Sequence, residues 1–257
     1  MKSVENSVTF ESQVQQSVSA QIEDEKFQAL TRDWFISSVD HRYSYNFRWA
    51  GLPIIQYPQD IIVTQELIFD YDPDIVIETG IARGGSISFY SSLLRMLEIQ
   101  AGQPLGTRAV CGVDIQINQE ALKSLEQSKI CQNLHVFEGS SISDKVFNSV
   151  AKLAKNYERP LIVLDSHHEH DHVLRELNLY SSLVPVGGHI LVYDTVIEHL
   201  PDHCCQERPW GKGNNPSTAI DLFLEQENGL NFERDDFFLR KSAGVTVAPN
   251  GWLRRVN

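Results

Sequence analysis

The feature that most limits what this chain can fold into is a regular alternation. Short apolar runs, each ending in a carboxylate, take turns with stretches of helical spacing. Asp74–Glu78 (DIVIE) is followed by Ser86–Ile99, with apolar residues at 87, 90, 93, 94 and 97, the spacing of one helical face. Strand-like runs recur at Ala109–Asp114, Leu134–Glu138, Leu161–Asp165 and Gly188–Asp194, separated by helical stretches near Asn118–Ser128, Asp144–Asn156 and His170–Leu183. Apolar runs of this kind suit strands buried on both faces, and their alternation with helices implies right-handed βαβ crossovers. A last helix near Thr218–Glu227 precedes two further runs, Asn231–Leu239 and Gly244–Pro249, whose short connection predicts an antiparallel hairpin at the sheet edge. The expected architecture is α/β: a mostly parallel seven-stranded, Rossmann-like sheet over residues 59–257, closed by a C-terminal antiparallel hairpin.

Residues 1–58 read differently. The first 25 are rich in Ser, Gln and Glu and read as frayed or loosely helical. From Phe27 to Trp49 aromatic residues are dense, and Pro53 and Pro58 follow. A helical arm is expected here, packing its aromatics on the main domain or on a second subunit, which would make a homo-oligomer. The sharper reading of the same residues is a lid over a substrate pocket.

Composition narrows the partners. With 34 acidic against 22 basic side chains the net charge is −12, which argues against nucleic acid and anionic membranes and for a small-molecule partner. No apolar stretch approaches the ~20 residues that span a bilayer, and Met1–Gln21 lacks a signal-peptide core. Four cysteines, with no CxxC spacing, do not suggest a disulfide framework. The expected setting is cytoplasmic.

Open α/β sheets bind ligands beyond the carboxyl ends of their strands, so the acidic series Glu78, Asp114, Glu138, Asp165 and Asp194 marks one edge. The first strand runs into Glu78-Thr-Gly80-Ile-Ala82-Arg-Gly84-Gly85-Ser86, whose small residues allow a tight turn and close approach to a helix start. This turn also fits a loose dinucleotide fingerprint, which keeps a nicotinamide-dependent oxidoreductase open. Two features favour S-adenosylmethionine. The Glu78 carboxylate suits an ammonium and would repel a pyrophosphate, and Glu138-Gly139-Ser140-Ser141 suits an adenine edge. Asp114 is placed for ribose hydroxyls with either cofactor.

After the fourth strand comes Asp165-Ser-His167-His168-Glu169-His170-Asp171-His172. His168–His172 formally matches H-E-x-x-H, but that zinc motif needs a helix interior and a third ligand. Following a strand directly, His168 should sit in the turn and only His172 on the helix. Asp165 and Asp194 suit one Mg²⁺, and histidine, which titrates near neutral pH, suits His168 as general base for a hydroxyl. For His167, His170 and His172 exposed positions at a polar helix start are expected. The long loop after the fifth strand holds Arg208, Trp210, Lys212 and Asn214, with charge and a stacking face for an acceptor.

The stretches ETGIARGGSISFYSSLL, VCGVDI, EGSSI, VLDSHHEHDHVLRELNLYSSLV, VYDT and RPWGKGNNP together resemble the cephalosporin hydroxylase family. Its members look like class I S-adenosylmethionine-dependent methyltransferases, among them sugar and natural-product O-methyltransferases. The similarity runs from about Gln59 to the C-terminus. It implies that Gly80, Ala82, Gly84 and Ser86 line the methionine end, that Asp114 holds the ribose, and that Glu138 to Ser141 flank the adenine. Asp165 and Asp194 would correspond to magnesium ligands, with catalysis resting on His168 and Asp165. There is one departure: Tyr193-Asp194-Thr195 stands where the family commonly has Glu-Asp-Thr, so one carboxylate is lost. That loss keeps a second reading open, a cofactor-binding partner protein whose catalysis has lapsed.

Overall fold

In the computed structural model, which describes residues 9–257, the chain opens with two helices, α1 (Phe10–Glu23) and α2 (Glu25–Asp40). A small antiparallel ribbon follows, β1 (Phe47–Trp49) and β2 (Leu52–Ile54). Next comes α3 (Pro58–Tyr71), with proline in its first turn, where the missing N–H costs nothing. The alternating units are β3 (Ile75–Thr79), α4 (Gly85–Gln100), β4 (Ala109–Asp114), α5 (Gln119–Gln127), β5 (Leu134–Glu138), α6 (Asp144–Ala154), β6 (Pro160–Leu164), α7 (His170–Tyr180) and β7 (His189–Val192). The chain ends with α8 (Pro216–Glu225), β8 (Phe232–Arg234) and β9 (Trp252–Arg255).

The seven strands pair in the order β5-β4-β3-β6-β7-β9-β8, and β9 alone pairs antiparallel with both neighbours. Side-chain alternation divides the core between the two faces. Ile75, Ile77, Ile162 and Ile190 pack with Val150, Leu177 and Phe223, while Val76, Leu161, Val163 and Leu191 pack with Leu67, Ile87 and Leu94. Each such side chain contributes roughly 1.5–3 kcal/mol on burial, which fixes the register of the sheet and the position of its carboxyl edge.

The C-terminal pair departs from expectation. The second strand is Trp252–Arg255, not Gly244–Pro249, and a long connection rather than a tight turn joins it to β8. The reason is tertiary. Val245 packs with Phe35 and Tyr57, and the Val247 N–H donates to Asp60 Oδ2 at 3.0 Å, so this run is used against the arm and α3. At the N-terminus the helical half of the expectation holds, since Phe10–Glu23 is a regular helix capped by Thr9, though none of its residues is buried. The frayed reading of residues 1–8 lies outside the described residues.

The arm's aromatics pack on one another and on the domain. Phe35 stacks on Tyr57 with centroids 4.8 Å apart, and Trp49 meets Phe89 of α4 edge-on while its Nε1 donates to Ser92 Oγ at 3.0 Å. Among the described residues no helix is long and apolar enough to cross a membrane.

Candidate active site

From β3 the chain builds β4 and β5 on one side, then returns to place β6 on the other. The crevice beyond the carboxyl ends of β3 and β6 is therefore the switch point of the sheet, where such folds bind ligands. Gly80 sits in it at φ +86°, and a Cβ there would lie 2.0 Å from the Asp165 carbonyl oxygen, so no other residue fits. A cavity of about 350 Å³ opens at this point. Its walls are the glycine-rich turn (Gly80, Ala82, Ser86), the strand ends (Asp165, His168, Asp194), the arm, and the loop carrying Arg208 and Trp210.

Glu78 lies fully buried beneath the turn. Its Oε2 accepts from Ser86 Oγ at 2.7 Å, and its Oε1 has no partner. Burial pushes its carboxyl up to about 8, with the nearby Asp114 charge adding to the rise. Asp114 is occupied by the chain itself: Oδ2 accepts the Ile81 and Ala82 N–H groups at 3.0 and 3.1 Å, and Oδ1 accepts Gln116 N–H at 3.0 Å. Glu138 Oε2 accepts Ile117 N–H at 3.2 Å. Buried Ser141 meets His172 Nε2 at 3.1 Å, and the Ser140 carbonyl accepts from Ser143 Oγ. Asp114 and Glu138–Ser141 thus stand outside the walls of the cavity, at the ends of β4 and β5, and Gly84 turns toward Leu125 of α5.

Asp165, His168 and Asp194 come together. One ligand atom from each lies within 4.8 Å of the others, and His168 Nε2 is 3.1 Å from Asp194 Oδ2. Desolvation raises the Asp165 carboxyl well above the usual range, the Asp194 and Glu78 charges reinforce this, and the Gln56 amide opposes it by donating at 3.3 Å. Tyr193 runs beside Asp165 but ends elsewhere. Its ring is buried and its hydroxyl is 2.9 Å from Thr64 Oγ1, the hydrogen bond it makes in place of one to the acidic pair.

The other histidines are tied up in packing. His167 meets Glu169 at 2.6 Å, and His170 Nδ1 meets Thr218 Oγ1 at 2.8 Å. All three are half-buried rather than exposed, and His172 is held between Ser141 and Ser166, with Ser166 also donating to the fully buried Glu176. With His168 in the turn and His172 inside α7, no zinc-peptidase helix forms.

In the loop, the Trp210 ring stands edge-on to His168 with centroids 4.8 Å apart. Lys212 is exposed and Asn214 is a brace: its Oδ1 accepts His170 N–H and its Nδ2 donates to the Pro209 carbonyl, both at 3.0 Å. Neither lines the cavity, which corrects the expectation that both face an acceptor. The arm supplies walls that the sequence did not single out, Arg42 and Gln56 among them. The aromatic density around them was the one signal.

A family profile described as "Rhamnosyl O-methyltransferase/CmcI" matches residues 41–256. The chain belongs to that family. The Rhamnosyl O-methyltransferase of Mycobacterium leprae (strain TN) is 28% identical over 227 residues, which cover 86% of this chain and 90% of that protein. A structure of CmcI with Mg and SAM superposes with a TM-score of 0.52 at 16% identity, covering 83% of this chain and 78% of its own. The MycE methyltransferase from the mycinamycin biosynthetic pathway, in complex with Mg, SAH and mycinamycin VI, gives 0.50 at 12% identity, covering 87% and 53%. Like these structures, this member of the Rhamnosyl O-methyltransferase/CmcI family has the class I methyltransferase fold.

Proposed function

We propose that the protein is an S-adenosylmethionine-dependent O-methyltransferase, assisted by a divalent cation and acting on a hydroxyl of a sugar or other small natural product. The observation that carries this reading is the convergence of Asp165, His168 and Asp194 on the cavity that also touches the glycine-rich turn. The relatives, a rhamnosyl O-methyltransferase among them, support the reaction class.

The residues at the glycine-rich turn and at the ends of β6 and β7 fit the methionine end of the cofactor and a divalent cation. Glu78 Oε1 is a buried acceptor without a partner, suited to the cofactor's ammonium, beside a turn that excludes a Cβ at Gly80. Gly80, Ala82, Gly84 and Ser86 would take the methionine end, Asp114 the ribose, and Glu138, Gly139, Ser140 and Ser141 the adenine. Asp165 and Asp194 would hold Mg²⁺, a hard cation that needs only one or two carboxylates. When bound, the cofactor supplies an electrophilic methyl group and the cation supplies Lewis acidity.

The chain's own part is alignment and proton transfer. Holding acceptor and donor in line is worth ~7–11 kcal/mol in favourable cases. With His168 Nε2–H donated to Asp194 Oδ2, Nδ1 carries the lone pair that accepts the acceptor's hydroxyl proton, and Asp194 steadies the resulting imidazolium. Residues 1–58 act as arm and lid, residues 59–257 as the catalytic domain, and the arm joins subunits into a homo-oligomer. The net charge of −12 supports a small-molecule partner rather than nucleic acid or an anionic membrane, and the setting proposed is cytoplasmic.

Calorimetric titration with S-adenosylmethionine, with and without Mg²⁺, tests the reading. One site per chain is expected, and no binding in either condition overturns it. A second reading draws on Tyr193, whose hydroxyl is committed to Thr64. A partner protein with lapsed catalysis would bind the cofactor and transfer no methyl group.

A further inference from the structure

Two arginine–aromatic pairs from distant parts of the chain stand at the mouth of the cavity. The Arg42 guanidinium, just beyond α2, lies 4.2 Å from the centre of the Tyr45 ring. The Arg208 guanidinium lies 5.4 Å from the centre of the Trp210 ring. All four side chains line the cavity. The two segments are held together nearby, where His203 Nε2 reaches Asp40 Oδ1 at 3.3 Å and the Cys204 thiol reaches the same carboxylate at 3.8 Å.

Among the described residues neither arginine makes an ion pair, a state shared with Arg83 at the same cavity and unlike Arg95 and Arg108, which are buried and paired. Asp40, two residues before Arg42, is engaged by His203. Asp165 and Asp194 lie at the floor, so in a chain of net charge −12 this one cavity has an acidic floor and a basic mouth. Arg83 also lines it, but from the glycine-rich turn, on the cofactor's side. An arginine with one face against an aromatic ring keeps its in-plane N–H fork free, the geometry that grips two oxygens of a carboxylate or phosphate. A neutral sugar needs no such pair.

We infer that the acceptor sugar carries an anionic group, a carboxylate or phosphate, seated between Arg42 and Arg208 while its reacting hydroxyl reaches His168. This rests on the methyl-transfer reading above and narrows its substrate class. The opposite view, that each arginine only packs on its ring, leaves charged and neutral sugars equivalent.

The test titrates glucose, glucuronate and glucose 1-phosphate calorimetrically into free protein and into its S-adenosylhomocysteine complex. The same titrations are made on the Arg42→Gln/Arg208→Gln double variant. At least one charged sugar is expected to bind about tenfold or more tighter than glucose, with a preference that weakens in salt. Which charged sugar it is separates carboxylate from phosphate. The double variant should lose the preference and keep its affinity for S-adenosylhomocysteine. Equal binding of the three sugars, or a preference that survives in the double variant, overturns the inference. Because the sugars are also titrated into free protein, failure of S-adenosylhomocysteine to bind counts against the methyl-transfer reading separately.

Discussion

His168 Nε2 stands 3.1 Å from Asp194 Oδ2, joining the turn after β6 to the end of β7 across the floor of the cavity. That contact orients the ring, and general-base catalysis by a positioned side chain is worth roughly 10²–10⁴ in rate. His168→Ala should lower turnover within that range and leave cofactor affinity within about twofold, because the partners of the ring are Asp194 and Trp210. Steady-state rates and calorimetry on one preparation decide it. Normal turnover removes His168 from the mechanism.

Asp165 and Asp194 place two carboxylates in one site, which costs repulsion unless a cation sits between them. Asp165→Asn should abolish any stimulation by Mg²⁺ and raise the melting temperature of the metal-free protein. A variant that melts lower yet still responds to Mg²⁺ would show that the pair does not hold the cation.

Glu78 sets a pH dependence whose sign follows from its environment. Its carboxyl rises from an ordinary 4.5 to about 8 on folding. The folded chain therefore keeps a proton that the unfolded chain releases, and stability falls as pH rises from about 4.5 to 8, with a slope of at most about 1.4 kcal/mol per unit. Glu78→Gln should flatten that fall in thermal melts. The same group makes cofactor binding at pH 7 release up to about one proton, since an ammonium beside Glu78 favours the carboxylate. The binding enthalpy should then vary with the ionisation enthalpy of the buffer in the native protein and not in Glu78→Gln.

Much of this was legible in the chain because strands buried on both faces announce their burial locally. Ile75–Glu78 and Leu161–Asp165 could hardly be anything else, and a parallel sheet must bring their terminal carboxylates to one edge. What stayed hidden depends on distant partners. Gly244–Pro249 and Trp252–Arg255 both have strand-like composition, and only the packing of Val245 against Phe35 and Tyr57 decides between them. Asp114 was legible as a strand end, but its hold on the Ile81 and Ala82 amides was not. Gln56 reaches Asp165 from 109 residues away, a separation that no local pattern records.

Asn215 carries a prediction about the loop. It is fully buried; its Oδ1 accepts Ser217 and Thr218 N–H at 2.9 and 3.4 Å, and its Nδ2 donates to Glu198 Oε2 at 2.6 Å and to the Gly211 carbonyl at 2.9 Å. Losing the cap costs about 0.5–2 kcal/mol, while Glu198 Oε2 keeps the Gly213 N–H at 2.9 Å. Asn215→Ala should therefore lower the melting temperature clearly. It should also raise KM for the acceptor more than for the cofactor, because the loop it braces carries Arg208 and Trp210. Equal effects on the two substrates would mean that the loop serves the fold alone.

The arm makes the last prediction. None of α1 is buried, and Phe10, Ile22, Phe27, Leu30 and Trp34 all remain exposed along α1 and α2. Scattered apolar residues are ordinary on a surface, but a run of them along one two-helix segment fits a contact with a second copy of the chain. Light scattering at tens of micromolar should therefore give an oligomer, and Phe27→Glu/Leu30→Glu should give a monomer that still binds S-adenosylmethionine, because neither side chain lines the cavity. A monomeric native protein would remove the subunit role and leave the arm with its wall of the pocket.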